Sequence, residues 1–229
     1  MVRLSAMGAP ITFYFDLLSP YAHIAWCQVQ PLAQAHGRLL QPTPVLLAGL
    51  LNAHGQKGPA EIPAKRVYTF KDAYRKAHAA GLPPLVPPPS HPFNPLLALR
   101  AMSTPGLSAP ARAKLVTEMF WAVWVHGTGV ETEGAIEAAC ERAGLPGDEL
   151  LAHAKSDGAK AALKDSTERA VRAGVFGVPT FDVDGELFFG TDSVPFMDLF
   201  LRGQDPLPGD AIARWAHLPA SAQRVAKAP

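Results

Sequence analysis

Apolar residues run almost unbroken from Ile11 to Leu17, and this β-branched and aromatic stretch predicts a buried central strand. Ser19 then suits a helix N-cap, and Pro20 suits the first helical position, where a missing N–H costs nothing. The helix is carried by Ile24, Trp26, Val29 and Leu32 and runs toward Gly37. Leu39 to Leu47 predicts a second strand, and Pro42 and Pro44 suggest a sheet edge or an irregular start. The period then lengthens. Val67, Phe70 and Tyr74 mark a helix over Pro63–Ala80, and Leu85–Pro95 is a proline-rich, rigid connector. Further helices are predicted at Leu96–Met102, Pro110–Val125, Glu133–Ala143, Asp148–Ala154 and Gly158–Ala173. Strand signals return at Thr180–Val183 and Glu186–Phe189, joined by the hairpin dipeptide Asp184-Gly185. A last amphipathic helix spans Pro195–Leu201, and in the tail only Asp210–Ala216 looks helical.

The order is β-α-β, a helical block, then β-β-α. A β-α-β unit followed by a β-β-α unit is the thioredoxin arrangement, so the fold class is α/β, thioredoxin-like, with a large all-helical insertion between the halves. The boundaries follow: residues 1–55 form the first half, 56–173 the insertion, 174–202 the second half and 203–229 a tail.

Composition narrows the function. The 229 residues are 48% hydrophobic and 18% charged, as in an ordinary globular protein, and this argues against general disorder. A formal charge of +1 without an aromatic-basic stripe gives no reason to expect nucleic acid. With no signal peptide and no long apolar run, no membrane association is expected and a cytoplasmic location is. Cys27 and Cys140 lie far apart in helical patterns, so they read as core residues, and no metal site is expected. Ser19-Pro20-Tyr21-Ala22 stands where a thioredoxin-like enzyme carries its redox cysteines, which disfavours a disulfide oxidoreductase. A site that has kept this fold and lost its thiol suits a borrowed one, and glutathione is the obvious donor.

Four segments carry a family resemblance: Phe13–Tyr21 (FYFDLLSPY), Pro59–Lys65 (PAEIPAK), Gly174–Thr180 (GVFGVPT) and Phe188–Asp192 (FFGTD). In this order and spacing the chain resembles the 2-hydroxychromene-2-carboxylate isomerases and the related kappa-class glutathione transferases of the DsbA-like superfamily, over about residues 11 to 202. The resemblance implies a glutathione-dependent isomerase acting on an aromatic carboxylate, with a kappa-type transferase or peroxidase, or a non-catalytic binding protein, as alternatives. It also implies a homodimer.

Read from the residues alone, Ser19 is a helix cap; the resemblance implies that its hydroxyl also holds the glutathione sulfur. Val178 and a cis Pro179 are expected to present backbone groups to the tripeptide, with Gly190, Thr191 and Asp192 at its γ-glutamyl end. Gln56 and Lys65 are expected at the loop entering the helical block, Lys65 facing a carboxylate. Tyr21, Phe93, Asn94 and Trp124 are the candidates for the aromatic substrate, Asn94 doubling as the N-cap of the helix that follows. Two positions depart from the family pattern: Leu51 stands where the isomerases carry a substrate-contacting lysine, and Ser193 where relatives often carry arginine.

Overall fold

The computed structural model describes residues 8–208, 211–215 and 217–219. Strand β1 (Ile11–Phe15) alternates between two faces: Ile11, Phe13 and Phe15 are fully buried, while Thr12 and Tyr14 are half-buried. It lies at the middle of a four-stranded sheet ordered β2-β1-β3-β4. Strand β2 (Leu40–Pro44) runs parallel to β1, whereas β3 (Thr180–Val183) is antiparallel to β1 and paired in turn with β4 (Glu186–Phe189). Pro42 and Pro44 sit at the edge, as expected, because a residue without an N–H cannot serve two neighbours.

Helix α1 (Pro20–Ala35) covers the phenylalanine face of the sheet. Phe13 stacks on Phe15, Trp26 and Phe181 at centroid separations of 5.3, 5.4 and 5.1 Å. Aromatic pairs of this kind add about 0.5–1.5 kcal/mol each to the gain from burial alone. At the far end, Asp184 (φ 55°) and Gly185 (φ 91°) make the tight hairpin turn, which Arg38 ties to the α1–β2 loop through two bonds to the Asp184 carboxylate.

The predicted second strand ends early. Its last residue, Leu47, begins a helix, α2 (Leu47–Ala53), because its N–H is taken by the buried carboxylate of Asp16 at 2.8 Å. After a 3₁₀ turn at Pro59–Glu61, the block continues through α3 (Pro63–Ala79), α4 (Leu96–Met102), α5 (Ala109–Trp124), α6 (Glu133–Arg142), α7 (Gly147–Lys155) and α8 (Asp157–Arg172). Helix α8 packs beside β2, where Ser166 Oγ donates to the Pro44 carbonyl and Thr167 Oγ1 accepts from the Leu46 N–H. A 3₁₀ turn at Thr191–Ser193 leads into α9 (Val194–Leu201). Within the predicted tail helix, Ala211–Trp215 is α10, and Asp210 and Ala216 lie outside the described residues. Among the described residues no helix is long and apolar enough to cross a membrane.

Candidate functional site

Ser19 is the N-cap of α1. Its backbone is extended (φ −94°, ψ 113°) and its Oγ accepts the Ala22 N–H at 3.2 Å. The hydroxyl hydrogen has no acceptor among the described residues. The side chain opens to solvent by only 7%, so a ligand atom reaching it leaves most of its water behind.

The three residues ahead of Ser19 are each gripped by a different part of the chain. The Asp16 carboxylate accepts the Leu18 N–H at 3.0 Å and the Leu47 N–H of α2 at 2.8 Å. The Leu17 carbonyl accepts the indole N–H of Trp124, on α5, at 3.0 Å. The Leu18 carbonyl accepts Nε2–H of His91, from the proline-rich connector, at 3.0 Å. A carbonyl can only accept, so the His91 proton sits on Nε2, and Nδ1 is buried without a partner. Burial, helped by the Arg66 charge, holds the His91 imidazole below its usual range against the upward pull of the Leu18 carbonyl. Burial also pushes the Asp16 carboxyl up to about 6, although both N–H bonds favour its charged form.

Opposite Ser19 runs the start of β3. The Val178–Pro179 bond is cis, as expected, and a second cis bond, unforeseen, joins His91 to Pro92. β3 pairs Thr180 with Tyr14, and the same register carried two residues further sets Val178 level with Asp16. Val178 N–H and C=O have no hydrogen-bond partner among the described residues, which leaves an extended edge for an added peptide. The Pro179 carbonyl accepts the Gly190 N–H at 2.9 Å, drawing the 190–193 turn alongside. Gly190 has φ +83°, a conformation that strains any residue with a Cβ. Gly177 is needed for space: a Cβ there would stand 2.9 Å from the Phe189 ring.

That turn packs on α1 and ends in a charged network. Lys76 Nζ, on α3, lies 3.1 Å from Asp192 and 3.2 Å from Asp72, and 5.1 Å over the Tyr21 ring. The Tyr21 hydroxyl donates to Asp72 at 2.7 Å. Burial and this bond raise the Tyr21 phenol, so it stays protonated. Burial pulls Lys76 down, but its bonds to Asp192 and Asp72 outweigh that and raise it.

A run of contacts therefore connects the start of α1 with the cis proline and the 190–193 turn: Val178 stands level with Asp16, Pro179 bonds Gly190, the turn packs on α1, and Tyr21 and Asp192 share Lys76. Gln56 and Lys65 are exposed and make no side-chain hydrogen bond or ion pair among the described residues. Lys65 sits in the first turn of α3, eleven residues and thus about 16 Å of helix away from Lys76. Asn94 is exposed, and its Oδ1 accepts the Leu96 N–H at 3.0 Å; Pro95, not Asn94, is the N-cap of α4. Phe93 is 6% exposed and packs edge-on against His91.

Trp124 needs correction. It is fully buried, so it is not a wall for a substrate; its indole braces the turn before Ser19 instead. Asp16, Asp72, Lys76 and His91 escape a reading of the sequence. Asp72 and Lys76 are signalled only by their i,i+4 spacing, which most surface helices share. Cys140 is buried and Cys27 half-buried, and burial pushes both thiols up to about 11, the values of inert core cysteines.

With this geometry in view, similarity to known proteins becomes informative. A protein from Pseudomonas putida named 2-hydroxychromene-2-carboxylate isomerase is 30% identical over 184 residues, covering 80% of this chain and 89% of its own. The human protein named glutathione S-transferase kappa 1 is 27% identical over 221 residues, covering 89% of this chain and 96% of its own. A solved structure of a 2-hydroxychromene-2-carboxylate isomerase superposes with a TM-score of 0.74 at 26% identity, over 90% of this chain and 95% of that one. Residues 10–202 match the DSBA-like thioredoxin domain, and the chain belongs to that family, with these isomerases and kappa-class transferases among its relatives.

Proposed function

We propose that the chain is a glutathione-dependent isomerase of the 2-hydroxychromene-2-carboxylate type, acting on a small aromatic carboxylate. Ser19 carries the reading: a hydroxyl with an unclaimed hydrogen, at a helix N-terminus, beside the free backbone of Val178 and the cis proline. These residues fit glutathione in chemistry as well as in order. The helix terminus and the Ser19 O–H favour an anionic sulfur, Val178 offers one donor and one acceptor to a peptide, and Asp192 answers an ammonium.

Glutathione, when bound, supplies a thiol that ionises, adds reversibly to an electrophilic carbon and leaves again, allowing a double bond to be re-formed in another geometry. Ser19 holds the sulfur by donating its free hydrogen. Val178 aligns the peptide backbone. Thr191, Asp192 and Lys76 anchor the γ-glutamyl end, with Lys76 free to turn from Asp192 toward a carboxylate. Lys65, exposed at the other end of α3, and Gln56, exposed in the loop before it, meet the glycyl carboxylate or that of the substrate. Tyr21, half-buried, meets the aromatic ring of the substrate, with Phe93 and the exposed Asn94 as its further contacts. Dimerisation and a cytoplasmic setting belong to the same reading and rest on the family resemblance.

A kappa-type transferase is the second reading, favoured by the human relative, whose match extends over more of the chain than that of the Pseudomonas putida protein. Turnover of 2-hydroxychromene-2-carboxylate and of a chloronitrobenzene, each with and without glutathione, separates the two. The isomerase reading requires glutathione-dependent loss of the chromene absorbance, reduced about a hundredfold by Ser19→Ala. Conjugation of the chloronitrobenzene without isomerisation would overturn it.

A further inference from the structure

Away from Ser19, an open groove of about 510 Å³ lies between α2, α4 and α8. None of the residues assigned to the glutathione site lines it. Its floor is apolar, formed by Leu46, Leu96, Leu163 and Val171. Around that floor stand four cations, Arg100, Lys160, Lys164 and Arg172, against one carboxylate, Glu168.

Two of these four cations are paired locally and two are not. Glu168 lies 3.7 Å from Lys164, and Lys160 pairs with Asp157 at the exposed start of α8. Arg100 and Arg172 have no ion pair among the described residues, and Arg100 Nε is buried without a hydrogen-bond acceptor. A buried guanidinium N–H without an acceptor is costly, and an anion that drew the Arg100 side chain toward the groove would satisfy it. The volume lies in the range of sites for a small organic ligand.

We propose that this groove is a second ligand site, for a hydrophobic monocarboxylate: an apolar body on the Leu163–Val171 floor and its carboxylate at Arg100 and Lys164. Neither a neutral apolar molecule nor a small hydrophilic anion satisfies both halves of the lining. The proposal does not depend on what Ser19 does.

Calorimetry with decanoate and decanol tests it on the full chain. Decanoate is expected to bind saturably at one site, with decanol at least tenfold weaker. The Arg100→Gln, Lys164→Gln double variant should lose at least tenfold in decanoate affinity. Ala53→Trp, at an exposed lining position, should block binding by filling the space while thermal melting shows the fold retained. Glutathione titrations should be the same in all these variants. Absence of saturable decanoate binding, equal affinity for decanol, undiminished binding in Ala53→Trp, or displacement of decanoate by glutathione would each overturn the proposal.

Discussion

His23 offers a sharp test of how the first turn of α1 is built. The residue is 1% exposed, its ring lies tilted against Phe120 with centroids 5.8 Å apart, and neither ring nitrogen has a hydrogen-bond partner. Burial alone lowers its pKa from 6.5 to about 4. The unfolded chain therefore takes up a proton near 6.5 and the folded chain only near 4, so stability falls as pH drops through this window. Two and a half units correspond to about 3 kcal/mol. Asp16 works in the opposite sense. Its folded pKa of about 6 exceeds the ordinary 3.8, so between those values the folded state binds the extra proton and gains stability as pH falls, again by about 3 kcal/mol. The two contributions nearly cancel between pH 6 and 4. Replacing His23 with Leu removes one of them. Urea unfolding at pH 7.5, 6, 5 and 4, followed by tryptophan fluorescence, should show His23→Leu no less stable than the native chain at pH 7.5, because two unpaired ring nitrogens leave the core. The gap should then widen in favour of the variant by about 3 kcal/mol at pH 4. Carboxylates such as Asp72 and Asp184, held low by their partners, weaken both proteins equally and drop out of the difference. If the two stability profiles run parallel within about 0.5 kcal/mol, His23 does not stay neutral in the folded state, and the reasoning from its burial fails.

Asp16→Asn should reverse that pattern: at most one of the two N–H groups keeps its acceptor, and the variant loses about 3 kcal/mol between pH 6 and 4 where the native chain is nearly flat, read by the same unfolding series. Ser19→Ala should cost only about 1 kcal/mol of stability, as lost caps do, while glutathione-dependent turnover falls about a hundredfold; equal turnover would leave Ser19 a cap and nothing more. Lys76→Ala should raise the KM for glutathione at least tenfold by removing the cation proposed to meet its γ-glutamyl carboxylate, and an unchanged KM in steady-state assays would remove Lys76 from the site. Trp124→Phe keeps an aromatic ring of smaller size and deletes the N–H to Leu17; a loss of at least about 1–3 kcal/mol in chemical denaturation, with a lower kcat, is the expected result.

The parts of the site that depend on neighbours in sequence were readable from the chain. Ser19 before Pro20 is a local capping signal, and Asp184-Gly185 is a local turn; both stand where the pattern put them. What escaped is held by distant partners. Leu47 lies in an apolar run whose period favours neither strand nor helix, and its helical start depends on a carboxylate 31 residues earlier. Lys76 looks like half of a surface pair with Asp72 until folding brings Asp192, 116 residues on, to the same ammonium. His91 sits among prolines that suggest only stiffness, yet it completes the carbonyl of Leu18. These cases share a cause. β1 ends at Phe15 and α1 begins at Pro20, so Asp16, Leu17 and Leu18 carry polar backbone groups that neither element can satisfy. The helical block satisfies two of them, Trp124 of α5 donating to the Leu17 carbonyl and His91 of the proline connector to the Leu18 carbonyl, while the Asp16 side chain takes the Leu18 N–H and ties the turn to α2. A thioredoxin half without that block would leave the turn before Ser19 free to move. The insertion thus holds the backbone that carries Ser19, and in the proposed glutathione reading this matters because a donor must be held in place before a sulfur anion arrives if it is to lower the cost of forming one.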